Sequence, residues 1–244
     1  MEQILIITGG SRGIGKGIIL AYLGRGARVF SLARSIDAEL STKGVTQISL
    51  DLTQTHKVEQ ELAAVFELFS AHDVSKITLV NNAGTLGQIG PLEKLEPEVV
   101  EQVFKLNTMV PYMLSAAFIR LTNNLPAAKS ILNISSGAAL KPYYGWSTYC
   151  GSKAALNMLT QSLALEQQDV ANGVKVLAIA PGVVDTDMQT QIRKTDKDDF
   201  KDVGRFVALK TDGGLNNAVS VGERICQMDH DQTIASGSIL RVEK

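Results

Sequence analysis

Tyr149 and Lys153 stand four residues apart in the stretch GWSTYCGSKAAL, with no histidine nearby. On a helix, that spacing puts both side chains on one face. A phenol ordinarily keeps its proton to a pH of about 10, and an adjacent ammonium favours the phenolate and lowers that value. The expectation is a tyrosine able to exchange protons near neutral pH. Upstream, LNISSG ends an apolar run and sets Ser135 and Ser136 at the same rim. One of these hydroxyls is expected to hydrogen-bond a carbonyl oxygen as negative charge gathers on it; the sequence leaves open which one.

Such a pair acts only where a framework presents it. Apolar β-type runs (QILIIT, RVFSLA, TQISL, KITLV, SILNIS, VKVLAIA, SGSILRV) alternate with helical patterns near residues 14–25, 55–70, 97–122, 149–168 and 216–228. Parallel strands need crossover connections, so the alternation predicts an α/β fold with a parallel sheet and helices on both faces. Strands apolar along their whole length fit a sheet covered on both sides. No repeat, low-complexity tract or linker divides the 244 residues, which predicts one domain over 1–244.

The first strand runs directly into TGGSRGIG. Gly9, Gly13 and Gly15 would let the backbone approach a pyrophosphate, with Ser11, Arg12 and Ile14 between them and the N–H groups of the following helix turned toward it. The same glycines would also suit a plain tight turn, and the position after the first strand is what favours a dinucleotide. After the second strand, Arg34 and Ser35 stand where an NAD site usually has an acidic residue on the ribose. Arg34 and Arg12 together would suit a 2′-phosphate, so the expected cofactor is NADP(H), while Asp37 reads as a loop or cap residue. The NNAG stretch (Asn82, Ala83, Gly84) ends another strand, at the side of an open sheet where ligands bind. Asp51, followed by Leu52, reads equally as an acceptor for an adenine amino group or as a cap for the helix near Thr55.

A net charge of −1 argues against a nucleic-acid binder. No charged-then-apolar leader precedes MEQILIITGG and no apolar run reaches the roughly 18 residues of a membrane span, so the expected location is the cytoplasm. Cys150 and Cys226 have no metal-ligand spacing, and no metal is expected.

The motifs TGGSRGIG, NNAG, NISS, YCGSK and APGVVDTDM stand in the order and spacing of the short-chain dehydrogenase/reductase family, which the whole chain resembles. The resemblance implies a single Rossmann domain, a doubly wound parallel sheet. Tyr149 then matches the catalytic acid/base, Ser136 the substrate-orienting serine, and Lys153 the lysine that binds the nicotinamide ribose and tunes the tyrosine. Asn107, in KLNTMV, matches an asparagine that supports a proton relay. Pro181, Gly182, Val184 and Thr186 match the segment holding the nicotinamide end. Within the family, GWSTYCGSKAALNML, LALEQ and APGVVDTDMQ resemble the sepiapterin reductases and bacterial reductases of vicinal dicarbonyls, typically NADPH-dependent homodimers; a homodimer or homotetramer is implied. Where the sepiapterin reductases anchor the pterin with an acidic residue, this chain has Arg241, which has donors only.

The resulting expectation is an NADPH-dependent reductase of a small ketone, either sepiapterin-like or a vicinal diketone. A 3-oxoacyl thioester reductase, a steroid or polyol dehydrogenase, and a non-catalytic NADPH sensor remain alternatives. Tyr143, Tyr144 and Trp146 read as walls for a flat substrate or as loop packing. The run RKTDKDDFKD (193–202) reads as a mobile lid or a solvated surface helix. Cys150 is expected to pack rather than react, and His56, His72 and His230 are assigned no catalysis.

Overall fold

Four successive residues of the first strand, Ile4 to Ile7, are buried, so that strand needs cover on both faces. The computed structural model describes residues 1–70 and 73–243, leaving His72 outside the described residues, and shows that cover. The strands are β1 (Glu2–Thr8), β2 (Arg28–Ala33), β3 (Thr46–Ser49), β4 (Val74–Asn81), β5 (Ala128–Ile134), β6 (Lys175–Ala180) and β7 (Ile239–Arg241). They form one seven-stranded sheet in the order β3-β2-β1-β4-β5-β6-β7, parallel throughout. The helices are α1 (Gly13–Leu23), α2 (Ala38–Thr42), α3 (Thr55–Phe66), α4 (Pro97–Phe104), α5 (Val110–Thr122), α6 (Ser147–Gln167), α7 (Asp187–Arg193), α8 (Val203–Thr211) and α9 (Ala218–His230). One core layer joins the sheet to α3, α5 and α6 through Leu62, Phe118 and Leu156; the other joins it to α1 and α9 through Ile18 and Ile225. This is the parallel sheet with helices on both faces expected from the strand–helix alternation, in the doubly wound Rossmann-type form that the resemblance implied.

Strand order reverses between β1 and β4, and a crevice opens at the carboxyl ends of such a pair. Thr8 and Asn82 fix its floor. The Thr8 hydroxyl accepts from the backbone N–H groups of Asn82 and Ala83, both at 3.0 Å, and the Asn82 amide donates to Thr8 O and Gly9 O. At the opposite ends of the strands, buried Asp229 of α9 accepts from Tyr22 at 2.7 Å, Thr78 at 2.9 Å and Lys76 at 3.0 Å. Those contacts fasten α9 to α1 and to the sheet.

Two readings of the sequence need correction. The single helix expected over 97–122 is interrupted by a π-helical turn at Lys105–Met109, and Pro111, which has no N–H to give, stands in the first turn of α5. The run 193–202 is not a solvated helix. It forms the end of α7 and a series of turns, and Phe200 within it is fully buried against Trp146 at a centroid separation of 4.5 Å. The surrounding charges hid that anchor. The short helices α2, α7 and α8 were not expected at all, because each is too brief to establish a period.

Candidate active site

Glycine is required at two points of the crevice. Gly9 has φ +67°, and a Cβ on Gly15 would overlap Gly9 O and lie 2.6 Å from the Asn82 amide nitrogen. The N-terminus of α1 has no side-chain cap and no acidic residue in its first turn, so its N–H groups remain for an anion. The residues present therefore fit a dinucleotide pyrophosphate. Arg34 and Ser35 follow β2, and the Ser35 hydroxyl lies 3.0 Å from that of Ser11. The nearby carboxylate, Asp37, is already engaged: it caps α2 through Leu40 N at 3.0 Å and binds Lys16 at 2.9 Å. Arg12 departs from the expected meeting with Arg34, because its guanidinium pairs with Asp187 at 2.9 Å, with both side chains more than two-thirds exposed. A pair so exposed is worth about 0.2–1 kcal/mol, weak enough for a phosphate to displace.

Asp51 does not cap α3, whose N-cap residue is Gln54. Its carboxylate instead closes the turn after β3, accepting from Thr53 N at 3.0 Å and the Thr53 hydroxyl at 2.8 Å, and those bonds hold its pKa low. The side chain still borders the crevice beside Leu52.

The first turns of α6 carry Tyr149 and Lys153 into the crevice, both buried. The Lys153 ammonium donates to Ile134 O at the end of β5 at 2.8 Å and lies 6.0 Å from the Tyr149 ring centre. Burial pushes the Tyr149 phenol up to about 12, against a smaller opposing effect from the Ser136 hydroxyl beside it. Burial also lowers Lys153 to about 8. The expectation that the ammonium makes the phenol more acidic is thereby overturned: desolvation dominates both groups and favours their neutral forms. A phenol of that pKa is protonated throughout the ordinary pH range, the state a proton donor requires.

The two serines separate cleanly. Ser135 is buried and donates to Asn157 Oδ1 at 2.7 Å, whereas Ser136 begins a short turn, accepts from Ala138 N at 3.1 Å and neighbours the phenol. Asn107 is fully buried in the π-helical turn. Its amide donates to Thr85 O at 2.8 Å and to Ser152 Oγ at 3.1 Å, while its Oδ1 accepts from Thr85 N at 2.8 Å. With both amide hydrogens engaged, the side chain clamps the loop after β4 against α6.

Gly9, Ser11, Arg12, Gly13, Ile14, Gly15, Arg34, Ser35, Asp51 and Leu52 border one continuous crevice of about 1310 Å³, together with Asn82, Ala83, Gly84, Ser136, Tyr149, Lys153, Pro181, Gly182, Val184 and Thr186. Asn107 lies just behind its wall. Trp146 and Tyr143 also line it, with centroids 5.0 Å apart, and Trp146 meets Tyr149 edge-on at 5.5 Å. Tyr144 instead stands exposed beneath Lys201. Sequence reasoning missed Leu86, Ile192, Arg205 and Phe206 as lining residues. Of these, Arg205 and Phe206 come from α8, for which the charged segment gave no period.

Cys150 is partly buried, with its thiol pKa raised by burial, and His230 is held between Cys226 O and Gln3. Among the described residues, no cluster of candidate metal ligands occurs and no helix is long and apolar enough to cross a membrane.

Residues 3–197 match the short chain dehydrogenase family. The chain belongs to that family. It is 38% identical over 249 residues to a benzil reductase ((S)-benzoin forming) of Bacillus cereus, covering 99% of this chain and 100% of that protein. It is 33% identical over 252 residues to the sepiapterin reductase of Meriones unguiculatus, covering 96% of this chain and 94% of the relative. The solved structure of the KRED1-Pglu enzyme superposes with a TM-score of 0.85 at 29% identity, covering 97% of this chain and 99% of that one. This short-chain dehydrogenase is accordingly an oxidoreductase acting on CH–OH and C=O groups, a carbonyl reductase that uses a nicotinamide cofactor.

Proposed function

We propose that residues 1–244 form one NADP(H)-binding domain that reduces a ketone of a vicinal dicarbonyl compound in the cytoplasm. The carrying observation is the meeting of the Ser136 hydroxyl with a buried, protonated Tyr149 phenol, bordered by the Trp146 and Tyr143 rings. The benzil reductase similarity supports a substrate with adjacent carbonyls and flat substituents. Commitment of Asp37 to Lys16 and to the α2 cap, with Arg34 and Ser35 at the end of β2, supports the 2′-phosphorylated cofactor.

The glycine turn and the start of α1 would hold the pyrophosphate, Arg34, Ser35 and Ser11 the 2′-phosphate, Asp51 and Leu52 the adenine side, and Lys153 the nicotinamide ribose. Asn82, Ala83, Gly84, Pro181, Gly182, Val184 and Thr186 would enclose the remainder. When bound, the reduced nicotinamide supplies a hydride to the carbonyl carbon. Ser136 donates a hydrogen bond to the carbonyl oxygen, and Tyr149 gives its phenolic proton to the alkoxide as it forms. A tyrosinate left in this buried pocket is costly, so it regains a proton rapidly. Lys153 is placed to assist in that step, and Asn107, behind the wall, to support the relay.

A homodimer is part of the same proposal. Along α6, Gly151, Ala154, Met158, Gln161 and Leu165 are all exposed at helical spacing, beside exposed Phe104, Met109 and Tyr112. An apolar stripe of that kind marks an association surface. Light scattering on the wild type and on Met158→Glu tests it, with a dimer expected for the first and a monomer for the second.

The enzymatic proposal is tested by NADPH oxidation with benzil, 1-phenyl-1,2-propanedione, sepiapterin and an acetoacetyl thioester. Turnover confined to the thioester assigns the chain to the acyl-thioester branch. Cofactor binding with no turnover of any compound makes it a sensor.

A further inference from the structure

The substrate end of the crevice carries an excess of positive charge. Lys141, Arg205 and Arg241 line it, and two of the carboxylates at that end face cations of their own: Asp185 faces Lys210 at 2.6 Å and Asp187 faces Arg12 at 2.9 Å. Asp202 is the remaining acid on that wall. Among the described residues, none of the three cations forms a salt bridge. Lys141 lies over the Tyr143 ring, with its ammonium 5.2 Å from the centroid.

Two of these cations come from separate elements near the reacting end. Arg205 of α8 donates to the Tyr143 hydroxyl at 3.3 Å, and Tyr143 leads through Trp146 to Tyr149 by centroid steps of 5.0 and 5.5 Å. Arg241 ends β7 and pairs in register with Ala180, the residue before Pro181 and Gly182. A guanidinium has five donors and no acceptor, and its planar fork matches a carboxylate. Both side chains are exposed to the solvent-filled crevice, so an ion pair formed there has the modest strength of a surface pair. A neutral diketone leaves both guanidiniums without a charged partner.

We propose that the substrate is an anion: a vicinal dicarbonyl compound with a carboxylate remote from the carbonyl being reduced, held by Arg241 with Arg205 as its second contact. The proposal rests on the dicarbonyl reading above and names the substrate class of the same site. Both arginines are specificity residues here, since the bond changes occur at the carbonyl.

The test compares 1-phenyl-1,2-propanedione with its para-carboxylate under saturating NADPH. In the wild type, kcat/KM should favour the carboxylate by about two- to fivefold, the scale of one exposed ion pair. That preference should shrink as ionic strength rises, fall toward unity in Arg241→Gln, and invert in Arg241→Glu. Arg205→Gln, a second variant on a different element, should lose part of it. Melting temperature and NADPH affinity are measured in parallel to verify that each variant is folded. Equal kcat/KM for the two compounds in the wild type, or an unchanged ratio in folded Arg241→Gln and Arg205→Gln, overturns the proposal while leaving dicarbonyl reduction standing. Turnover of neither compound removes the dicarbonyl reading and this proposal with it.

Discussion

Replacing Asn107 with alanine should both destabilise the protein and slow it. The Asn107 side chain accepts from Thr85 N and donates to Thr85 O, each at 2.8 Å, and it donates to Ser152 Oγ at 3.1 Å. Alanine leaves both Thr85 backbone groups without partners, whereas Ser152 keeps its bond to Tyr149 O. An orphaned buried polar group costs about 1–3 kcal/mol, and Thr85 is half-buried, so the pair should cost roughly 2–4 kcal/mol. For a domain of this size, about 1 kcal/mol corresponds to roughly 2–4 °C, giving a fall in Tm on the order of 5–15 °C by calorimetry. Gly84, the neighbour of Thr85, packs close to Lys153 Nζ, so a loosened loop should also lower kcat for NADPH oxidation in protein still folded at 25 °C. Asn107→Asp keeps Oδ1 as an acceptor but replaces the one donating nitrogen with an oxygen facing Thr85 O, and should be worse than alanine. A Tm within about 1 °C of wild type, or an aspartate variant more stable than the alanine one, would refute the clamp.

Tyr149→Phe should reduce kcat by about 10²–10⁴-fold while leaving NADPH affinity, measured by fluorescence titration, nearly intact; parallel loss of both would remove the division of roles between Tyr149 and the glycine turn. Arg34→Asp should weaken NADPH far more than NADH, and equal weakening would withdraw the 2′-phosphate assignment. Because Tyr149 titrates at about 12 and Lys153 at about 8, the basic limb of kcat/KM for reduction should reflect loss of the lysine charge near pH 8. That limb should move upward in Lys153→Arg, whose guanidinium stays charged. Stability follows the sign of the same shift. Folded Lys153 releases its proton near 8 and the unfolded chain near 10.5, so this group's contribution to stability is smallest below pH 8 and rises between 8 and 10.5, as urea titrations across that range should show.

The sheet and most of the crevice were legible because both follow from local rules. Apolar runs alternating with helices define parallel strands, and glycines after the first strand mark a close backbone approach, which Gly9 and Gly15 display. The residues at strand ends were legible for the same reason, since position along a parallel strand decides which end of the sheet they reach. Less could be read where environment outweighs spacing. Tyr149 and Lys153 share a face as the interval of four requires, yet only burial, a tertiary property, fixes the direction of their pKa shifts. Arg12 was visible as a cation but not its pairing with Asp187, which lies 175 residues away. Phe200 sits in a segment whose charges obey no period, so nothing local announced that it stacks on Trp146.

The stacking of Phe200 on Trp146 has a consequence for how such a protein diversifies. Trp146 directly precedes α6, while Phe200 and Phe206 come from a loop and helix that add no strand to the sheet. This wall of the crevice is thus an appended piece, pinned at the start of α6 by the packing of Phe200 and Phe206 on Trp146. Exchanging residues 194–211 for another sequence with aromatics at positions 200 and 206 could rewrite selectivity without disturbing the strands that carry the chemistry, making this segment the natural unit for recombination.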